Sequence, residues 1–252
     1  MDRIKNVTKA ENHSLYTPFW RWYIENSLRG QFSSVRLLNP FPTTKTRSML
    51  WHGTHISFWD GYLGLQLAQH LKLEYRVMML EDNLKKYSFL RFAGAFGVTR
   101  GSPRGALESL RYATAELQKT PPRAMLMFPS GEIGSPHIRP IPFEAGVAAL
   151  ASLAAKEQDV MVSALAIRLE YGTEAKPVAY LRLSAARIVQ VGAKTSQLTA
   201  LLQDDLEREA NALHQDLLEN NLGAYEVILR GSSSIPEIWD GLRRRVGLNP
   251  FI

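Results

Sequence analysis

From Ser48 onward, short apolar runs alternate with stretches in which apolar residues return every three to four positions. The runs Met49–Trp51, Arg76–Leu80, Ala95–Val98, Ala124–Phe128, Val160–Leu169 and Val178–Leu183 read as strands. Gly61–Leu71, Gly105–Lys119 and Glu144–Lys156 read as helices between them. Pro121 and Pro122 separate a helix sharply from the next strand. Gly172 and Pro177 lie between the last two strands, which can therefore pair as a hairpin. Near the C-terminus, Leu198, Leu202, Leu206, Ala210, Leu213 and Leu217 mark one face of a long helix. Strands alternating with helices predict an α/β fold with a mixed, mainly parallel sheet flanked by helices.

Ahead of this region, Leu15 to Leu38 is rich in aromatic residues. On a helix, Phe19, Trp20, Tyr23, Ile24 and Leu28 share one arc, with Trp22 at its boundary, while Arg21, Glu25 and Arg29 fall opposite. Trp and Tyr flanked by Arg suit a bilayer interface, and the same face would equally suit packing on a domain core. Asn39-Pro40-Phe41-Pro42 then breaks the pattern. The expected organisation is an N-terminal amphipathic helical segment over 1–42 and a larger domain over 43–252.

Composition narrows the function classes. The 252 residues are enough for one large domain, and 45% hydrophobic with 21% charged residues is ordinary for a folded protein. Without cysteine there is no thiol nucleophile, disulfide framework or thiolate metal site. No run of about 18 apolar residues free of charge predicts a spanning helix, and Met1 to Ser14 lacks the apolar stretch of a secretory signal. The net charge of +6 favours anionic partners such as lipid headgroups or phosphorylated cofactors. The basic residues form no recognisable nucleic-acid-binding module, so no nucleic acid is expected.

The richest stretch for chemistry is Trp51-His52-Gly53-Thr54-His55-Ile56-Ser57-Phe58-Trp59-Asp60-Gly61, between a strand and a helix. On one regular helix His55 and Asp60 would point roughly 140° apart. With His55 on the incoming loop and Asp60 in the first helical turn, the carboxylate can reach the imidazole. Such a pair lets a neutral His take a proton from an alcohol while the carboxylate fixes its tautomer and stabilises the imidazolium. Ser57 to Asp60 also fits a capping box, which would make Asp60 a helix-start device. His52, His55 and Asp60 together would be the metal-site alternative. Phe128-Pro129-Ser130-Gly131-Glu132 makes a tight strand-ending turn whose amides could face the same site, and Ser130 lacks the Gly-x-Ser-x-Gly setting of an α/β-hydrolase. Gly97-Val98-Thr99-Arg100-Gly101-Ser102-Pro103-Arg104-Gly105, two arginines among glycines ahead of a helix, is a candidate phosphate clamp in which Arg100 stands out by position.

In this order and spacing, these stretches resemble the glycerolipid acyltransferases of the lysophosphatidate acyltransferase family, over about Ser48 to Ile167. His55 and Asp60 match the family's His-x4-Asp pair, with Ser57 where the family often has Ser. Gly97 to Arg100 is similar to the second motif, and Phe128 to Gly131 to the third, usually Phe-Pro-Glu-Gly-Thr-Arg-Ser. Pro142-Phe143-Glu144-Ala145-Gly146 and Ala164 to Ile167 are similar to the downstream helix and strand. The departures are Thr54 for Asn, Thr99 for an acidic residue, Ser130 for Glu, and Glu132-Ile133-Gly134 for Thr-Arg-Ser, with Glu132 or Arg139 available in place of the missing arginine.

The resemblance implies O-acyl transfer in phospholipid biosynthesis, from a coenzyme A or acyl-carrier-protein thioester to a lipid hydroxyl, with 1-acyl-glycerol-3-phosphate as first acceptor. His55 would be the base and Asp60 its orienting partner. Ser57, Thr99, Arg100, Ser130, Gly131 and Glu132 would contact substrate, Arg100 through an anionic group. Neither a metal nor a resident cofactor is implied. The expected location is peripheral, on the cytoplasmic face of a membrane. Another acceptor such as a glycolipid or lipid alcohol, a non-catalytic lipid-binding protein, and a thioester hydrolase are the competing expectations.

Overall fold

The structure is a computed structural model that describes residues 7–39, 47–99, 101–172 and 174–232, with Trp239 and Arg243. Pro40, Phe41 and Pro42 of the expected break lie outside the described residues. The chain begins with α1 (Tyr16–Gln31) and β1 (Ser34–Leu38), then β2 (Met49–Gly53), α2 (Asp60–His70) and β3 (Glu74–Leu80). A short α3 (Glu81–Lys86) and a 3₁₀ helix (Ser88–Ala93) lead into β4 (Ala95–Val98), α4 (Pro103–Leu117) and β5 (Arg123–Met127). The rest comprises α5 (Gly146–Ala154), β6 (Val160–Glu170), β7 (Val178–Leu183), β8 (Arg187–Val189), α6 (Thr195–Leu218) and β9 (Glu226–Arg230).

Nine strands form one sheet in the order β4-β3-β5-β2-β6-β7-β1-β9, with β8 beside β6. The centre is parallel: β2 pairs with both β5 and β6, and β3 with both β4 and β5. The expected hairpin is present as the antiparallel β6–β7 pair. The fold is thus the mixed, mainly parallel α/β sheet flanked by helices. Within the segment expected to be an amphipathic helix, helical structure ends at Gln31 and β1 enters the sheet between β7 and β9.

Alternation along the strands divides the core into two layers. On β2, Trp51 joins Leu28 and Leu63 on the α1–α2 face, while Leu50 joins Val147 and Leu202 on the face of α4, α5 and α6. Each fully buried leucine contributes about 1.5–3 kcal/mol through removal from water. The α2 helix lies unusually close to the sheet at Gly64. A Cβ there would come within 2.5 Å of the Leu126 side chain and 2.7 Å of the Tyr75 hydroxyl. The Tyr75 hydroxyl donates to the Gly61 carbonyl at 2.8 Å and so anchors the first turn of α2.

The aromatic face expected of α1 is divided rather than continuous. Ile24 and Leu28 are 2% and 0% exposed, locked into the core between α1 and the sheet. Trp20 stacks on Phe89 of the 3₁₀ helix at 4.2 Å. Phe19 and Tyr23 remain exposed, together with Trp22, Tyr16 and Leu15. The arginines opposite that face have protein partners: Arg21 pairs with Glu74 at 3.4 Å and Arg29 with Glu25 at 2.6 Å.

Candidate active site

β2 ends at Gly53 and α2 starts at Asp60, so His55 sits on the connecting loop and Asp60 in the first helical turn. Asp60 is fully buried, and four donors reach its carboxylate. Oδ2 receives His55 Nδ1 at 2.9 Å, the Ile56 amide at 2.6 Å and the Ser57 amide at 2.9 Å. Oδ1 receives the Ser57 hydroxyl at 2.7 Å. The expected capping box is not formed: the N-cap of α2 is Trp59, without a side-chain cap bond, and the Asp60 carboxylate instead ties down the preceding loop through the Ile56 and Ser57 amides while orienting the imidazole. An acceptor at Nδ1 assigns the ring proton there and leaves Nε2 as the basic nitrogen. No described residue bonds to Nε2. The sequence departure Thr54 is buried, and its hydroxyl accepts from the Ile167 amide at 2.9 Å, tying the loop to β6.

The face of the imidazole is held from another element. Phe128, immediately after β5, stacks on His55 with centroids 4.1 Å apart and planes 13° from parallel. The following turn is closed by the Gly131 amide donating to the Phe128 carbonyl at 3.0 Å. Gly131 has φ of +69°, a left-handed backbone that a side chain would strain. Its amide, which the sequence suggested could face the site, is engaged within the turn. The Ser130 hydroxyl donates to the Glu132 carbonyl at 2.9 Å, and the Gly134 amide donates to the His55 carbonyl at 2.9 Å.

Two cavities meet along Leu80, Phe128 and Gly131. The larger, about 570 Å³, is lined by His55, Tyr62, Leu65, Val77, Leu90 and Glu132 among others, with Asn83 and Lys86 as further polar groups. Tyr75 forms part of this wall; burial and then the nearby Asp60 charge push its phenol well above the ordinary value, so it persists as a donor. The smaller, about 470 Å³, is lined by Thr99, Gly101, Ser102, Pro129 and Glu144 among others. Ser102 caps α4, its hydroxyl accepting from the Gly105 amide at 3.1 Å, and Pro103 follows in the first turn. Gly97 lacks a Cβ where the Glu81 carboxylate lies.

The structure therefore brings His55, Ser57 and Asp60 together, and places Gly131 and Glu132 on the same cavity as His55. Thr99 lies on the smaller cavity, and Arg100 lies outside the described residues. Arg139 is turned to Asn211 of α6 at 2.9 Å and lines neither cavity. His52 does not converge with His55. Strand alternation sends it to the opposite face, 5.7 Å from the Phe143 ring, fully buried and without a protein partner for either ring nitrogen. Burial, opposed by the Asp205 charge and reinforced by Arg187, pushes its imidazole down to about 4. The alternative grouping of His52, His55 and Asp60 around a metal is thus broken by geometry. Sequence reasoning gave no role to Tyr62, Tyr75, Asn83 or Lys86; only Tyr62 had a visible signal, two residues after Asp60 in the first turn of the same helix.

No helix among the described residues is long and apolar enough to cross a membrane. Neither protein-family models nor curated protein sequences match this chain. Among solved structures, the chain is similar to the crystal structure of the 1-acyl-sn-glycerophosphate (LPA) acyltransferase PlsC from Thermotoga maritima, with a TM-score of 0.53 and 13% identity. The match covers 78% of this chain and 79% of that one. At this identity the likeness is one of fold: the chain has the mixed α/β architecture of that acyltransferase.

Proposed function

We propose that this protein is an O-acyltransferase that moves a fatty acyl group from a coenzyme A or acyl-carrier-protein thioester to a hydroxyl of a lipid acceptor. The observation that carries the reading is a histidine held by a buried, four-donor carboxylate at the edge of a largely apolar cavity. His55 Nε2 takes the proton of the acceptor hydroxyl as its oxygen attacks the thioester carbonyl. The tetrahedral intermediate collapses with cleavage of the C–S bond, and the departing thiolate takes the proton from the imidazolium. Asp60 keeps the Nδ1 proton in place and stabilises the transient imidazolium. The acyl chain occupies the larger cavity, against Leu65, Val77, Leu90 and Ala95. The acceptor enters from the smaller one, beside Thr99 and Ser102, and Arg100, next to Thr99 in sequence, is assigned to its anionic group. Ser130 shapes the turn between them. The first acceptor on this reading is 1-acyl-glycerol-3-phosphate, which places the reaction in phospholipid biosynthesis.

The protein works peripherally on the cytoplasmic face of a membrane. Support comes from the exposed Leu15, Tyr16, Phe19, Trp22 and Tyr23 beside the 3₁₀ helix. Leu15, Tyr16 and Phe19 share a shallow apolar groove with Trp20, Phe89 and Phe92, suited to a lipid surface.

The test is incubation of the purified protein with labelled acyl-coenzyme A or acyl-carrier protein and with lysophosphatidate, a monoacylglycerol or a glycolipid, the product being read by mass. Acylated lipid is expected, and His55→Ala should abolish it in a protein that remains folded. Release of free fatty acid alone would make the protein a thioester hydrolase. Lipid retention without turnover would make it a binding protein.

A further inference from the structure

We propose that Phe128 is a positioning residue for His55, fixing the plane of the imidazole and stabilising its protonated form through the ring face. The Asp60 bond holds one atom of the imidazole, Nδ1, at 2.9 Å, and by itself leaves the ring free to rock about that contact. The Phe128 ring removes this freedom because it lies almost parallel to the imidazole, 13° off, at 4.1 Å. Its own position is set from behind. Gly53 lies behind the ring at van der Waals distance, a Cβ there falling 3.4 Å from its edge and 3.2 Å from the Leu126 side chain. The Phe128 carbonyl closes the Gly131 turn, and the Pro129 carbonyl receives the Glu144 amide at 2.8 Å. The phenyl ring is thus clamped while the imidazole leans on it.

The location adds a second consequence. Phe128 lines both cavities, so the ring that sets the His55 plane also stands between the two spaces assigned to donor and acceptor. A face-on aromatic ring attracts a cation through its quadrupole, an attraction that a neutral imidazole, held by stacking alone, does not have. In the resting state the contact is therefore mainly packing. Once His55 has taken a proton, the same contact becomes attractive, which is when catalysis needs it. The inference rests on the acyltransferase reading for its catalytic part, whereas the effect on the imidazole itself is independent of it.

The test uses the full chain with Phe128→Leu, Phe128→Tyr and pentafluorophenylalanine at 128, the last keeping the shape while reversing the charge of the ring face. His55 titration followed by the NMR signals of its imidazole protons needs no substrate, so failure of the acyltransferase reading leaves this measurement intact. Phe128→Leu and the fluorinated ring should lower the His55 midpoint by about 0.4–1.5 pH units. Phe128→Tyr should leave it unchanged. In the transfer assay, Phe128→Leu should lower kcat about tenfold to a hundredfold with little change in donor KM, as for a misplaced catalytic group. The acidic limb of kcat/KM should move to lower pH alongside the NMR midpoint. Equal midpoints in all four proteins would overturn the proposal, as would a loss appearing in KM alone. Should Phe128→Leu fail to fold, the isosteric fluorinated protein decides the matter by itself.

Discussion

Replacing Asp60 by Asn separates the two duties of this carboxylate, and the geometry says how. Three of the four donors, His55 Nδ1 and the Ile56 and Ser57 amides, converge on Oδ2. The fourth, the Ser57 hydroxyl, reaches Oδ1 and can rotate to accept instead. An asparagine therefore seats its carbonyl oxygen at the Oδ2 position and its amide group toward Ser57, preserving all four bonds and the Nδ1–H tautomer. Only the negative charge is lost. An opposite charge near 4 Å is worth about 4 kcal/mol at an effective dielectric of 20, and the side-chain dipole returns part of it. A net loss of about 2–4 kcal/mol in the transition state corresponds to roughly 30- to 1000-fold in kcat. Asp60→Ala instead strands buried donors at about 1–3 kcal/mol each and should unfold far more readily. The assay is kcat for acyl transfer beside a urea denaturation curve for each variant. The reasoning fails if Asp60→Asn is as inactive as His55→Ala, which would mean the tautomer was lost. It fails equally if the rate stays within about threefold, which would leave Asp60 as a tie for the 56–57 loop alone.

Two further outcomes concern the rest of the chain. His52 titrates near 6.5 when unfolded and about 4 when folded, so between these values the unfolded chain binds the extra proton. Stability should be complete above about pH 6.5 and fall by up to about 3 kcal/mol toward pH 4. His52→Leu should flatten this acid slope in urea curves, and a slope unchanged by the substitution would assign it to other groups. On α1, Phe19→Asp with Trp22→Asp should keep the melting temperature, because both side chains are at least half exposed. The pair should release the protein from anionic vesicles in flotation, by roughly a hundredfold or more in partitioning. Ile24→Asp, by contrast, should unfold it, since Ile24 is 2% exposed. Undiminished flotation of the double variant would place membrane contact elsewhere.

Much of this architecture was legible because its signals are local. The six strands expected from apolar runs all occur, and the central parallel strands β2 and β5, buried along their whole length, read as continuous apolar segments. The His55–Asp60 contact was legible for a related reason: a strand-to-helix turn brings residues five apart together whatever the rest of the chain does. By contrast, β1 and β9 are edge-region strands of five residues whose partners lie far along the chain, so nothing local marks them. The same holds for α3 and the 3₁₀ helix, too short for a period to show.

Tertiary structure alone decided which groups meet across elements. Parallel pairing of β2 with β5 sets His52 opposite Met127, and that register carries Phe128 alongside the His55 loop. Alternation on β2 removed His52 from the site. Periodicity announced that α1 has an apolar face, but the sheet and Phe89 decided how much of it is covered. Hydrophobicity records that a side chain avoids water; it does not record what will cover it. That depends on register and crossing geometry, which only the assembled fold contains.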